Sequence, residues 1–165
     1  MRKLSLSNWA SIAEILAAVV VVLSLFYIGA ELNQNTAALH DSSWQSVIDK
    51  MIDLDIAEAS DPDLSRIMMT AESAPESLTR EDWWRFSKIA AGRLGEIEYA
   101  FLSKRSGTLD DYRWGALEGY LAHLLCMPGY RRFWSEMGDA AYHPEFVSFV
   151  ETEVVAECMS PTSAN

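Results

Sequence analysis

Ile15-Leu16-Ala17-Ala18-Val19-Val20-Val21-Val22-Leu23-Ser24-Leu25-Phe26-Tyr27-Ile28-Gly29-Ala30 is apolar or small at every position. A helix through it covers ~24 Å at ~1.5 Å rise per residue, a little short of a ~30 Å hydrocarbon core. Trp9 to Glu14 on one side and Glu31-Leu32 on the other supply the missing length, so a membrane helix is expected over 9–32. Trp9 then marks one interface, and Tyr27 lies near the other. Four successive valines leave no polar face, which argues against a core helix of a soluble protein. A secretory signal shares the basic start, Arg2-Lys3. Its apolar core, however, usually has ~7–15 residues, and this one is longer, carries Glu14 near its start and ends without a small-x-small cleavage site. A retained anchor is the expectation.

Glu14 is the ionisable residue well inside this segment. Near the headgroups it snorkels outward. Deeper in the bilayer it needs a partner on a neighbouring helix. Ala10, Ala13 and Ala17 place small residues on one side, with Gly29 near the far end, and such faces let helices approach closely. Glu14, Ala10, Ala13 and Ala17 are therefore the candidate membrane-helix contacts.

The chain has a formal charge of −11 and 24 acidic residues. Arg2 and Lys3 cancel Glu14 and Glu31, so the remainder carries that same charge. Such acidity argues against nucleic acid and against a face laid on anionic lipid. After Arg2 and Lys3 no Lys or Arg appears until Lys50. The positive-inside rule then keeps the N-terminus in the cytoplasm and exports the domain. Cys126 and Cys158 neither support nor oppose this: they could pair if exported, but two lone cysteines in helices are more often buried small hydrophobes.

The rest reads as helices. The expected division is a basic segment at 1–8, the membrane helix at 9–32, an acidic helical domain at 33–159 and a polar tail at 160–165. No Pro or Gly intervenes between Glu31 and Asp61. Leu32, Leu39, Val47, Met51 and Leu54 form a heptad-like stripe, with Trp44, Ile48 and Ile52 alongside. The membrane helix should thus continue to about Ala59. Asp61-Pro62 caps a short helix through about Ala71. Thr79-Arg80-Glu81-Asp82 resembles a capping box and opens a helix to Arg105, ended by Ser106-Gly107. Ala90, Ala91, Gly92 and Gly95 offer that helix a smooth face for a neighbour. Further helices are expected from Thr108-Leu109-Asp110-Asp111 to Met127, from Pro128 to Gly138, and from about Pro144 to Cys158. No sustained period-two pattern occurs. The fold class is all-α: one transmembrane helix continuing into a small bundle of about five helices.

No catalytic constellation is visible. The three histidines are His40, His123 and His143, and none follows a Glu by three, as a di-iron bundle requires. There is no Cys-x-x-Cys, phosphate loop or Gly-x-Ser-x-Gly elbow. No metal or cofactor is expected. His123 amid leucines reads as a core or boundary residue, and its pairing with Cys126 as structural. Trp83, Trp84, Trp114 and Trp134 read as core or boundary. Tyr130-Arg131-Arg132-Phe133-Trp134 has the composition of an interface, so Tyr130, Arg131, Arg132 and Trp134 are candidate anchors, with packing inside the domain the reading weighed above it. A pocket between Trp-rich helices, with His123 or Glu98 as its polar groups, is the rival reading.

Further residues carry a resemblance: Ile12-Ala13-Glu14-Ile15, Val19 to Leu25 with Tyr27, and Leu32-Asn33-Gln34-Asn35-Thr36 with Ala38-Leu39. With them go Asp61-Pro62-Asp63-Leu64, Pro128-Gly129, Arg132-Phe133-Trp134 and Pro144-Glu145-Phe146. Together they resemble a group of uncharacterised bacterial single-pass membrane proteins: an N-terminal membrane helix, a Gln-Asn-Thr segment and a helical domain. The resemblance implies no activity and no catalytic residues. Members often carry Arg about the Gln-Asn-Thr segment, which would favour a cytoplasmic domain; this chain has none there. The expectation is a non-catalytic inner-membrane accessory or docking subunit. Its partners would be the bilayer and other membrane subunits or its own copies, not nucleic acid.

Overall fold

The computed structural model describes residues 6–155, all in helices or short turns between them. Arg2, Lys3, Cys158 and the expected tail at 160–165 lie outside the described residues. The elements are α1 (Leu6–Ser60), α2 (Pro62–Ser73), α3 (Arg80–Arg105), α4 (Asp111–Cys126), α5 (Pro128–Ala141) and α6 (Pro144–Phe149). A 3₁₀ turn, Pro75–Ser77, precedes α3, and a π-helical turn, Val150–Val154, follows α6. The fold is all-α: one long apolar N-terminal helix, then a small bundle.

The chain divides into two compact units, Met1–Asp41 and Ser42–Asn165. In the first, α1 is long and apolar enough to cross a membrane, and its apolar window is exposed throughout. Ser24 Oγ donates to the Val20 carbonyl at 2.8 Å, so its hydroxyl is satisfied within the helix. The expected boundary at 32/33 falls inside α1.

The second unit begins with the last turns of α1. Val47 is buried, and Trp44 and Met51 pack against the core. Leu54 lies over Gly92, one residue of the smooth face seen in the sequence. Leu32 and Leu39, from the same stripe, are exposed and belong to the first unit. Polar groups complete this seam. Lys50 pairs with Glu96 at 3.3 Å, Ser43 meets the Tyr99 hydroxyl at 3.2 Å, and Ser65 Oγ donates to the Glu58 carbonyl at 2.6 Å.

Helices α2, α3, α4 and α6 each start where a side chain serves free N–H groups. Asp61 accepts from Asp63 N at 3.0 Å and Leu64 N at 3.2 Å, with Pro62 at the first position. Thr79 Oγ1 accepts from Asp82 N at 3.1 Å; the Asp82 carboxylate meets Arg66 at 3.5 Å, so only half of a capping box is made. Asp110 accepts from Arg113 N at 2.8 Å, and His143 Nδ1 from Glu145 N at 3.3 Å. Gly107, at φ +77°, ends α3. Thr108 N donates to Ser103 O at 2.8 Å and Gly107 N to Lys104 O at 3.0 Å, a Schellman closure that needs the left-handed residue.

Helix α3 is the hub, packed against α2, α4, α5 and α6. Phe86, Ala90, Leu94 and Ile97 bury completely along it. Phe86 stacks on Trp83 and meets Tyr130 edge-on, both at 5.2 Å. Farther along, Phe101 contacts Trp114, Phe146 and Phe149.

Two sequence expectations change. Helix α5 does not stop at Gly138 but runs to Ala141. Gly138 sits one turn beyond Trp134, and a Cβ there would come within 2.9 Å of the indole. It makes room for a ring inside the helix rather than ending it. Gly129 is needed for a different close approach, since its Cβ would stand 2.5 Å from the Ala71 carbonyl oxygen of α2. Finally, the last helix is not α-helical throughout. Phe146, Val150 and Val154 are all buried at spacing four. Such residues drift by roughly 40° per step in an α-helix, and a wider turn keeps them in line.

Candidate functional site

The candidate contacts of the N-terminal unit, Ala10, Ala13, Glu14 and Ala17, are all exposed on α1. So are Leu25, Phe26 and Tyr27.

The candidate anchors on α5 fall into two groups. Tyr130 and Trp134 are buried inside the domain itself, at 0% and 8% exposure, so they are not surface anchors. Spacing explains this: positions 130, 133 and 134 share a helix face and turn it inward. Trp134 stacks on Tyr142 at 5.4 Å. Tyr130 receives a hydrogen bond from Arg93 Nη1 at 3.0 Å. Burial pushes the Tyr130 hydroxyl up to about 12, with Arg93 opposing. Arg131 is exposed and donates to the Cys126 carbonyl at 2.9 Å. Arg132 lies with its guanidinium 4.0 Å above the Trp83 ring and donates to Glu136 at 2.8 Å and to the Pro75 carbonyl at 3.2 Å. It ties α5 to Trp83 and the turn before α3.

Arg93 is the buried charge of the domain. Its Nη2 donates to Asp55 at 2.7 Å and to Glu58 at 3.1 Å, both on α1. Burial opposes its charge, but Tyr130, Tyr120 and Glu58 outweigh that and hold its pKa above the ordinary value. A single residue thus joins α1, α3 and α5.

His123 is exposed, not a core or boundary residue. Cys126 is exposed as well and is disulfide-bonded, so it is neither a buried small hydrophobe nor a free thiol. Glu98 accepts from the His143 backbone N–H and fixes the start of α6. Among the described residues no three His, Cys, Asp or Glu side chains cluster as a metal site.

Between α3 and α5 lies an open groove of about 320 Å³. Its walls are Trp83, Trp84 and Ala91 from α3 and Phe133 and Met137 from α5. Arg80 and Lys88 stand on its rim. Trp84 is 60% exposed and Met137 46%. Lys88 Nζ lies 5.4 Å from the Trp84 ring centroid. Glu136 is occupied: it accepts from Trp83 Nε1 at 3.1 Å and from Arg132. Neither His123 nor Glu98 lines this groove.

Sequence reasoning placed Trp84 in the core or its boundary, and the structure places it outside. The signal was present. Adjacent residues on a helix point ~100° apart, so Trp83 and Trp84 cannot both face inward. Arg80 and Lys88, one turn to either side of Trp84, mark that position as outward.

Comparison with protein-family models, with curated proteins and with solved structures finds no match to the chain.

Proposed function

We propose that the chain is a non-catalytic single-pass protein of a bacterial inner membrane, acting as an accessory or docking subunit of a larger membrane complex or of its own copies. The observation that carries this reading is the complete exposure of the apolar window of α1. A helix whose apolar side chains find no cover in their own chain needs lipid or another helix around it. Ala10, Ala13 and Ala17 offer the close-approach face, and Glu14 the polar group that a partner helix would satisfy. The likeness to the bacterial single-pass group supports the same architecture.

The charges around α1 favour an exported domain, and the disulfide at Cys126 points the same way. Disulfides persist in oxidising compartments and are rare in the cytosol. Protease added to intact spheroplasts is expected to digest the domain; protection would reverse the orientation. For the function itself, gentle detergent extraction should give a native mass that includes a defined partner or further copies. A protein that migrates with neither would overturn the docking reading.

A second reading, a membrane-anchored module that binds a small molecule, is favoured by the groove between α3 and α5. An apolar concavity walled by two tryptophans, beside two cations that have no ion pair among the described residues, fits ligand recognition better than packing alone, since Trp84 contributes little to the core.

A further inference from the structure

We infer that the groove between α3 and α5 binds a small apolar anion, its rings or short chain lying against Trp83, Trp84, Phe133 and Met137 and its negative end held between Arg80 and Lys88. This rests on the second reading above and names the ligand class.

Three observations converge on it. The first is shape. About 320 Å³ is at the small end of ligand pockets, which run from ~300 to ~1,000 Å³. The second is the wall. Trp84 and Met137 present large apolar surfaces to solvent at the mouth of the groove, and a flat or short apolar group would cover both.

The third is charge. On a chain of net charge −11 cations are scarce, and among the described residues nearly all are engaged. Lys50, Arg66, Arg85, Arg93, Lys104, Arg105, Arg113 and Arg132 each pair with an acid. Arg131 donates to a backbone carbonyl. Among the described residues that leaves Arg80, with no ion pair, and Lys88, with only its contact to the Trp84 ring, and both line this groove. They stand one turn before and one turn after Trp84 on α3, so an anion seated over that indole meets a cation on either side. The acid at the rim, Glu136, is already neutralised by Arg132 and bonded to Trp83. A neutral ligand would leave Arg80 and Lys88 unused, and a cationic one would be repelled by both.

The test uses the full chain in phosphatidylcholine nanodiscs, with empty nanodiscs as the blank. Binding of 2-naphthoate, 2-naphthamide and 2-naphthylmethylammonium is measured by calorimetry. The naphthoate should bind about tenfold tighter than the amide, the value of one charge-assisted contact, and the ammonium weakest. Arg80→Gln with Lys88→Gln should lower naphthoate binding to the level of the amide and leave the amide unchanged. Trp84→Ala should weaken naphthoate and amide alike. All three positions are exposed, so these variants leave the core intact. Equal binding of the three probes, or a naphthoate preference that survives loss of both cations, overturns the anion inference while the small-molecule reading stands. No binding of any probe overturns both.

Discussion

Leu25 and Leu94 are the same side chain in the same kind of helix, yet one is 63% exposed and the other fully buried. Phe26 and Phe86 repeat the contrast at 74% and 0%. The difference lies in their neighbours along the chain. Around Leu25 the apolar residues are consecutive and cover every side of the helix. Around Leu94 they recur at helical spacing, as Ala90, Ile97 and Phe101, with Glu96 and Glu98 half-buried between them, so the apolar face packs on the rest of the domain. The first pattern calls for a surrounding apolar medium; the second makes its own.

The largest expected effect tests the first region. Val21→Lys with Leu25→Lys places two charges near the middle of the run, each costing about 2.5–3.5 kcal/mol at the centre of a membrane helix. The protein should leave the membrane fraction on an alkaline wash, with the thermal unfolding of the domain unchanged. Retention in the pellet would break the comparison, because the run would then not be a span. Phe86→Ala is the reciprocal change. It removes a ring that is 0% exposed and should cost about 3–5 kcal/mol in denaturant unfolding, with no loss of membrane retention.

Arg93→Met sharpens the contrast at the seam of the domain. It keeps the bulk but leaves the Tyr130 hydroxyl without its donor and Asp55 without its cation. Because Asp55 is 64% exposed, about 1–3 kcal/mol is expected, less than for a fully buried pair. Adding Tyr130→Phe should recover part of the loss in a double-mutant cycle; strict additivity would show the two are not coupled.

Glycines test packing within the second region. Gly129→Ala forces a methyl against the Ala71 carbonyl and should destabilise by about 1–3 kcal/mol. Gly95→Ala meets nothing within 4 Å and should stabilise by about 0.5–1 kcal/mol. Equal effects would mean that α2 and α5 are not in close approach.

A last effect is in alkali. The Tyr130 pKa is raised to about 12 in the folded domain, against ~10 in the unfolded chain. Its contribution is therefore complete below ~10 and lost as pH climbs towards 12, because the unfolded state sheds the proton first. Stability measured across that window should fall, and less steeply in Tyr130→Phe. An equal fall in both would assign the alkaline sensitivity to other groups.

Much of this was legible in the chain because it depends on neighbours in sequence. The apolar run at 15–30, the caps at Asp61 and Thr79, the stop at Gly107 and the all-α class follow from local sterics, capping and periodicity. Tertiary structure decided the rest, because it depends on residues far apart in the chain. Gly138 looks like a helix end until the Trp134 ring is seen to need its space. Tyr130 and Trp134 read either as packed residues or as interface anchors until α5 turns that face onto α3 and α6. Cys126 and His123 read as inward residues, but α4 buries Leu117, Leu121, Leu124 and Leu125 instead, which leaves positions 123 and 126 outside. The groove is the clearest case: Arg80, Trp84 and Lys88 sit on one stretch of α3, and only the packing of α5 beside it, bringing Phe133 and Met137, makes a concavity. Sequence determines which faces a helix has, and tertiary packing determines which other helix each face meets.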